Sequence, residues 1–203
     1  MNLRKRLHEQ VVHVRRVEVL SEHLATLVKP GSTLLDVGCG DGLLSKRISE
    51  SVDNLTVSGV DVMERNDTHI PVQTFDGVSI PFDDKSYDVV MFVDVLHHTT
   101  NPSVLLNEAT RIAREAIIIK DHRREGFLAN ATLRLMDWCG NAQHGVALPY
   151  NYLSRREWDA LFQDVNLIVD DEISCLGLYP FPANLLFDSS LHFIARLRME
   201  NVS

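Results

Sequence analysis

Two short polar segments carry the side chains best suited to proton transfer. His97 and His98 follow one apolar run of the sequence, and Asp121 and His122 follow another. Histidine has a pKa of about 6.5, so it can accept and return a proton near neutral pH. These four residues are therefore the candidate catalytic group, acting as a general base for a nucleophile that carries a proton. A solvent-exposed position or a structural hydrogen bond is the alternative for Asp121 and His122.

A glycine-rich stretch at residues 38–42, Gly-Cys-Gly-Asp-Gly, separates a predicted strand from a predicted helix. Thr33–Val37 is short and largely apolar with a β-branched residue at each end, which is typical of a buried strand. From Leu43 the apolar residues recur at helical spacing. Glycine tolerates positive φ and lets a ligand lie against bare backbone. Strand, glycine turn and helix form the first half of a nucleotide-binding unit, although Gly-x-Gly alone is a weak signal.

An acidic residue ends the predicted second strand, Thr56–Val62. Asp61 lies 19 positions beyond Gly42, a spacing that suits hydrogen bonding to the hydroxyls of a ribose. A surface carboxylate at a strand end is the alternative. The next segment, Met63–Pro71, is polar and too short for a crossover helix. We therefore expect a loop before the third strand, Val72–Phe75, or an irregular position for that strand.

The first 28 residues predict one amphipathic helix, because apolar residues recur along a single stripe. Its first half carries a basic cluster, composed of Arg4, Lys5, Arg6, Arg15 and Arg16. The cluster suggests either a lid over the site that contacts an acidic group, or a helix packed on the domain with a solvated basic face. We expect residues 1–29 to form a helical cap and residues 30–203 to form one domain, with a substrate-side insertion at about 123–153.

The remaining elements alternate between strand and helix, which predicts an α/β, doubly wound sheet with helices on both faces. The run Val89–Val95 is nearly all apolar, as expected of a central parallel strand buried on both faces. The other predicted elements are a helix at 102–114, strand 116–120, a helix at 127–138, a capped helix from Ser154 to Val165, and strands 167–173 and 191–197. The insertion holds three candidate substrate contacts, His144, Tyr150 and Tyr152.

Composition restricts the partners. The chain has 203 residues, 45% of them hydrophobic, and a formal net charge of −8, which argues against a nucleic-acid or anionic-membrane surface. No segment approaches the roughly 20 apolar residues of a membrane helix. Three cysteines without CxxC spacing favour reduced thiols in a cytoplasmic protein. The expected partner is a small molecule, and the oligomeric state stays open.

Together these segments are similar to the class I S-adenosylmethionine-dependent methyltransferases, in the branch called methyltransferase type 11. A P-loop motif is absent, and a dinucleotide site would have its third glycine where this chain has Leu43. The segments that carry the resemblance are 34–42, 59–62, 76–82, 87–98 and the helix-strand unit through Lys120. The resemblance implies a Rossmann-like seven-stranded sheet, with six parallel strands and the last antiparallel.

The resemblance also implies how S-adenosylmethionine is held. Gly38 and Gly40 would lie under its methionine part, and Asp36 would contact its ammonium group through water. Asp61 would hold the ribose hydroxyls, and Asp76 would accept from the adenine amino group. A carbonyl at the end of the fourth strand would bind the ammonium group. The other cofactor-binding residues implied are Cys39, Gly42, Val62, Gly77, Val78, Val93, Asp94 and Val95.

The implied reaction is in-line methyl transfer to a small molecule, with a hydroxyl or other heteroatom as the expected nucleophile. In that family the Leu-His-His segment commonly begins the loop under the cofactor, so a structural role for His97 and His98 is the alternative. A catalytically silent cofactor-binding module and a methyltransferase acting on a macromolecule are the other candidates, with a dinucleotide oxidoreductase disfavoured by Leu43. No metal site is predicted, because adjacent histidines cannot readily chelate one ion from a single turn.

Overall fold

A computed structural model describes the backbone of residues 3–13, and the backbone and side chains of residues 14–125, 133, 151–179 and 191–200. The strands are β1 Thr33–Val37, β2 Thr56–Asp61, β3 Val72–Thr74, β4 Tyr87–Val93, β5 Ala113–His122, β6 Leu167–Ser174 and β7 His192–Met199. The α-helices of this described part are α1 Leu3–Ala25, α2 Leu43–Ser51, α3 Pro102–Ile112 and α4 Arg155–Asp164. A single 3₁₀ turn, Leu96–His98, follows β4.

The strands form one sheet in the order β3-β2-β1-β4-β5-β7-β6. β1 pairs in parallel with β2 and β4, and β5 continues the parallel set beyond β4. β7 runs antiparallel to both of its neighbours, β5 and β6. The predicted fold class, with six parallel strands and an antiparallel last strand, is confirmed.

Two apolar layers cover the two faces of the sheet, and β4 shows why its sequence is nearly all apolar. Val90 and Phe92 face the layer formed by α3 and α4, whereas Val89 and Met91 face the layer formed by α1 and α2. All four side chains are almost completely buried. A strand covered on both faces gains burial energy at every position, which confirms the prediction of a central strand.

The connection between β2 and β3 contains no helix in residues 62–71, as its composition predicted. Ile70 in this loop is buried and packs against the glycine turn. A Cβ atom on Gly42 would lie only 2.4 Å from Cγ1 of Ile70, and Gly42 has a φ of +78°. The loop that replaces the crossover helix therefore requires glycine at this position.

Several predicted boundaries were wrong by a few residues. β4 was predicted to reach Val95 but ends at Val93, because Asp94 adopts a φ of +56° and turns the chain out of the sheet. The helix predicted at 102–114 ends at Ile112, where the Lys85 side chain donates to the carbonyls of Thr110 and Ala113. The residues that follow Ile112 belong to β5 instead, so this strand is longer than predicted.

The N-terminal helix ends at Ala25, earlier than the predicted residue 28. Its second half is buried against α2 and the sheet through residues such as Leu20 and Leu24. At the start of α4, Glu157 accepts from the backbone of Ser154 and Ser154 accepts from the backbone of Glu157, which confirms the predicted capping box. The predicted helix at 127–138 lies outside the described residues, apart from Leu133, and the division into cap and domain stays a prediction.

Candidate active site

The carboxyl ends of the parallel strands meet at one edge of the sheet, where ligands of such folds bind. The turn after β1 is tied to β2, since the amide groups of Gly38 and Cys39 both donate to the carbonyl of Val60, at 2.7 and 3.2 Å. A Cβ atom on Gly38 would lie 2.5 Å from Cγ2 of Val95. The loop after β4 therefore passes directly against the glycine turn, and the two predicted parts of the cofactor site are neighbours.

Asp36 in β1 is a buried carboxylate whose hydrogen bonding is incomplete. Its side chain accepts from the Ser45 hydroxyl at 2.6 Å through Oδ2. The other oxygen, Oδ1, is buried and has no hydrogen-bond partner among the described residues. Burial raises the pKa of Asp36 to about 7. A buried anion with an open oxygen fits a ligand that brings a cationic group to this edge, such as the ammonium of S-adenosylmethionine.

Asp61, at the end of β2, is buried and holds two backbone amides. Oδ2 accepts from Gly40 at 2.8 Å, and Oδ1 accepts from Met63 at 2.9 Å. A carboxylate oxygen has two lone pairs, so each oxygen can also accept from a ribose hydroxyl. The glycine turn and the predicted ribose-binding residue therefore form one hydrogen-bonded unit.

The surface predicted for the adenine ring is apolar and exposed. Val62 and Val78 are 60% and 56% exposed, which is unusual for valine. The Cβ position of Gly77 lies 3.2 Å from Val62, so these residues adjoin each other. Asp76 beside them accepts from the amides of Val78 and Ser79, and these hydrogen bonds lower its pKa. An apolar surface next to an ionised carboxylate suits a ring that carries an amino group.

A cavity of about 240 Å³ lies between α1, the glycine turn and the end of β4. Arg16 of α1, Cys39 and Asp41 of the turn, and Asp94 after β4 are among its lining residues. Burial and the nearby carboxylates raise the pKa of the Cys39 thiol, which is therefore neutral. The cavity lies where the resemblance to methyltransferases implies the methionine part of the cofactor.

The four candidate catalytic residues are brought together at the ends of β4 and β5. Nδ1 of His97 lies 2.6 Å from Oδ1 of Asp121, and both side chains are buried. Oδ2 of Asp121 accepts from the backbone amides of Leu96 and His97, at 3.1 and 3.4 Å. Burial alone would raise the pKa of Asp121, but its interactions with His97 and His122 lower it. Asp121 is therefore ionised and fixes the orientation of the His97 ring.

The His122 ring lies 4.8 Å from the His97 ring, in an edge-to-face contact. Burial, together with the charge of Lys120, lowers the pKa of His122 to about 4, so this imidazole is neutral at neutral pH. His98 lies beside His97, with ring centres 4.0 Å apart. Tyr152 stacks on His97 at 5.5 Å, and its hydroxyl donates to the carbonyl of Leu133. The other two predicted substrate contacts, His144 and Tyr150, lie outside the described residues.

Asp94 is bound by two basic residues that sequence analysis had not assigned to it. The ammonium of Lys120 lies 2.5 Å from Oδ1, and the Arg16 guanidinium contacts Oδ2. Burial would raise the pKa of Asp94, but these two cations lower it well below its usual range. Lys120 is completely buried and also lies 3.3 Å from Nδ1 of His192. Lys120 and His192 were missed because neither belongs to a local motif.

Four of these side chains form a set of potential metal ligands. Asp94, His97, Asp121 and His122 offer ligand atoms that all lie within 4.8 Å of one another. The prediction of no metal site considered only the adjacent histidines, whereas the fold combines residues from the ends of two strands. Lys120 already places a cation on Asp94 within this set. The absence of a metal site stays a prediction.

Comparisons with known proteins identify the family of this chain. A family model described as a methyltransferase domain matches residues 11–172. A curated relative from Amycolatopsis mediterranei, 27-O-demethylrifamycin SV methyltransferase, is 27% identical over 110 residues, which are 47% of this chain and 40% of the relative. Ubiquinone biosynthesis O-methyltransferase of Rickettsia bellii is 30% identical over 97 residues, which are 42% of this chain and 40% of the relative. The chain thus spans less than half of each relative.

A solved structure supports the fold independently. The crystal structure of geranyl diphosphate C-methyltransferase from Streptomyces coelicolor A3(2), in complex with Mg²⁺, geranyl-S-thiolodiphosphate and S-adenosyl-L-homocysteine, superposes with a TM-score of 0.67. The match covers 89% of this chain and 75% of the other chain, at 16% sequence identity. Among the described residues, no helix is long and apolar enough to cross a membrane.

Proposed function

Because the chain belongs to the family of methyltransferase domains, we propose that it transfers a methyl group from S-adenosylmethionine to a hydroxyl group of a small molecule. The observation that carries this proposal is the buried His97–Asp121 pair at the edge of the sheet where we propose that the cofactor binds. A hydroxyl nucleophile carries a proton that must leave, and this pair can take it. Two relatives are named as methyltransferases of rifamycin and ubiquinone intermediates, which supports a small acceptor.

The cofactor supplies an electrophilic methyl group on a sulfonium when it is bound. The chain has to position it, and the edge of the sheet offers the groups required. Asp61 would accept from the ribose hydroxyls, Val62 and Val78 would contact the adenine ring, and Asp36 would face the ammonium group. Alignment of the nucleophile with the methyl group then contributes much of the acceleration.

The His97–Asp121 pair would act as the general base. Asp121 accepts the Nδ1 proton, so Nε2 is the ring nitrogen that can receive a proton from the acceptor hydroxyl. Nε2 of His97 would take up the proton that the acceptor hydroxyl loses. The ionised Asp121 would stabilise the imidazolium that results. His122 contacts the His97 ring and is neutral, so it would add no positive charge next to this base.

A second candidate is a cofactor-binding module without catalytic activity. One observation favours it: the side chains of His97 and Asp121 are 1% and 0% exposed, and Tyr152 stacks on the His97 ring. A base that substrate cannot reach would only hold the loop after β4. Nucleic acid as acceptor is disfavoured by the net charge of −8.

The proposal is tested by combining cofactor binding with turnover. Calorimetry with S-adenosylmethionine measures binding, and transfer of labelled methyl to a panel of phenols, alcohols and amines measures activity. We expect Asp121→Asn and His97→Gln to reduce turnover by about 10²- to 10⁴-fold while cofactor affinity changes little. His98→Gln, a variant of the adjacent candidate residue, shows whether the loss is specific to the His97–Asp121 pair or shared with the neighbouring ring.

The other outcomes separate the candidates. Undiminished turnover in both variants of the pair would remove it as the base. Cofactor binding without turnover on any acceptor would favour the silent module. Failure of the wild-type protein to bind S-adenosylmethionine would overturn the proposed function. Melting temperatures of each variant show whether a loss of activity reflects a loss of folded protein.

A further inference from the structure

His192 is a buried histidine at the carboxyl edge of the sheet, and the proposed function gives it no role. It begins β7 and lies directly opposite His122 in the antiparallel pairing with β5. Because opposite residues of such a pair project from the same face of the sheet, the two rings meet, with centres 4.7 Å apart. His122 also contacts the ring of the proposed base, His97, at 4.8 Å. His192 therefore belongs to the acceptor end of the site.

The contact with Lys120 determines which nitrogen of the His192 ring carries a proton. Nζ of Lys120 lies 3.3 Å from Nδ1 of His192, and the ion pair with Asp94 keeps this ammonium charged. An ammonium group has three donors and no acceptor, so Nδ1 has to offer a lone pair. A ring with a lone pair on Nδ1 is neutral and carries its proton on Nε2. His192 is therefore a hydrogen-bond donor at Nε2.

This donor lacks an acceptor within the protein. Nε2 of His192 is buried and has no hydrogen-bond partner among the described residues. Buried polar groups are nearly always hydrogen-bonded, because an unpaired group has lost its contact with water and gained nothing in return. The pairing of β7 with β5 fixes the backbone of His192, and the Lys120 contact fixes its ring. A donor held in one orientation in this way suits recognition of an oxygen atom on a ligand.

We infer that Nε2 of His192 donates a hydrogen bond to an oxygen atom of the methyl acceptor, other than the oxygen that is methylated. The inference rests on the proposed function, because it names a second contact to the same acceptor. Two ring nitrogens of opposite character would then bind this substrate. Nε2 of His97 would take up the proton of the nucleophilic hydroxyl, and Nε2 of His192 would donate to a second oxygen.

The inference narrows the substrate class to hydroxylated compounds that carry a second oxygen. A neutral N–H group matches a carbonyl or hydroxyl oxygen, which accepts one hydrogen bond without bringing a charge into a buried site. A compound with a methyl group in place of that oxygen would leave the His192 donor unpaired. Such a loss discriminates against the methyl compound more strongly than its size does.

The first measurement checks the donor without any substrate. Nitrogen NMR of the isotopically labelled full chain distinguishes the two neutral tautomers of a histidine ring, and His192→Gln identifies the signals of this residue. We expect the proton on Nε2. A proton on Nδ1 alone would overturn the inference, because Nε2 would then be an acceptor.

The second measurement compares acceptors that differ in one group, with labelled S-adenosylmethionine as the methyl donor. Catechol, resorcinol and hydroquinone are each compared with the cresol of the same substitution pattern, so that a hydroxyl is exchanged for a methyl group of similar size. The hydroxyacetophenones are compared in the same way with the isopropylphenols. We expect at least one oxygen-bearing compound to have a KM about 10-fold lower than its apolar counterpart.

Two substitutions separate the Nε2 donor from the rest of the His192 ring. The shorter Asn side chain can still accept from Lys120 but has no group at the position of Nε2, whereas the Gln amide reaches that position with a donor. We expect His192→Asn to raise the KM of the preferred compound about 10-fold, to the value of its apolar counterpart, with kcat changed by less than about threefold. His192→Gln is the matched control and should keep the preference.

The remaining outcomes overturn the inference in distinguishable ways. Equal KM values for both members of every pair in the wild-type protein would refute the His192 contact and leave the proposed function standing. A preference retained by His192→Asn, or lost equally in both variants, would mean that the ring only packs. A wild-type protein that methylates none of these compounds or the wider panel would refute the proposed function and this inference with it. The tautomer and the wild-type preference are measured without His192→Asn, so they decide the matter if that variant does not fold.

Discussion

Asp36 in β1 and Asp121 in β5 are both buried carboxylates at the same edge of the sheet, but their surroundings differ. Asp36 accepts one hydrogen bond, from Ser45, and its Oδ1 atom has no partner among the described residues. Asp121 accepts from the His97 ring and from three backbone amides. Burial raises the pKa of Asp36 to about 7, whereas the contacts of Asp121 outweigh burial and lower its pKa.

The difference separates the two regions that we propose for the cofactor and for the methyl acceptor. The cofactor side, at the ends of β1 and β2, leaves a buried charge and exposed valines for a ligand to complete. The acceptor side, at the ends of β4 and β5, pairs its charges internally and so fixes their protonation. Removal of Asp94 or Asp121 should therefore destabilise the protein, whereas removal of Asp36 should stabilise it in the absence of ligand.

The largest effect is expected from Asp94→Asn, after the end of β4, where this carboxylate lines the cavity proposed for the cofactor and pairs with Lys120 of the acceptor side. Without this carboxylate, the ammonium of Lys120 remains completely buried without its nearest anion. Breaking such a pair costs about 3 kcal/mol of the free energy of unfolding, measured by urea denaturation. The double variant Asp94→Asn/Lys120→Met removes both charges and should recover most of that loss. A double variant no more stable than Asp94→Asn would show that the acceptor side does not depend on charge pairing.

The opposite sign is expected on the cofactor side, from Asp36→Asn. At pH 8 the folded protein holds an ionised, poorly solvated carboxylate, so its removal should raise the free energy of unfolding by about 1–3 kcal/mol. The same variant should bind S-adenosylmethionine about tenfold more weakly, because the ammonium group loses its anion. The gain in stability should shrink as the pH falls below 7, where Asp36 takes up a proton. A loss of stability at pH 8 would contradict the contrast between the two regions.

The sequence predicts a strand or helix well where the physical reason for its residue types is local. The apolar run in β4 indicates burial on both faces, and the Ser154–Glu157 capping box marks the start of α4. Boundaries that depend on neighbours in space are not predictable in this way. Asp94 adopts positive φ and ends β4 early, and the packing of Ile70 explains Gly42 only after folding.

The candidate site likewise contains contacts that could be predicted from the sequence and contacts that could not. Placing His97 and Asp121 together needed only the rule that parallel strands end at one edge, but their direct contact required the structure. Lys120 and His192 meet because β5 and β7 pair antiparallel, with His122 opposite His192. No local pattern encodes a register between residues more than 70 positions apart, so this part of the cluster could not be found from the sequence.

The smallest expected effect is a pH dependence in which the two regions oppose each other. His122 and His192 have lowered pKa values, about 4 for His122, because burial disfavours their charged forms. Between about pH 6.5 and pH 4 these imidazoles bind protons in the unfolded chain but stay neutral in the folded protein. The free energy of unfolding therefore falls as the pH falls. Asp36 acts in the opposite direction, because its folded form binds a proton that the unfolded chain does not.

The net loss of stability should therefore reach at most about 1.4 kcal/mol per pH unit in this range, because two imidazoles oppose one carboxyl, as measured by urea denaturation at several pH values. His122→Asn should reduce the pH dependence of stability, because it removes one of the two imidazoles whose effect opposes that of Asp36. Asp36→Asn should steepen it, because the compensating carboxyl is removed. Slopes are compared rather than absolute stabilities, so that packing changes at either residue do not enter. Equal slopes in all three proteins would mean that neither region controls the acid response, and that the contrast between their buried groups does not extend to the free energy of unfolding.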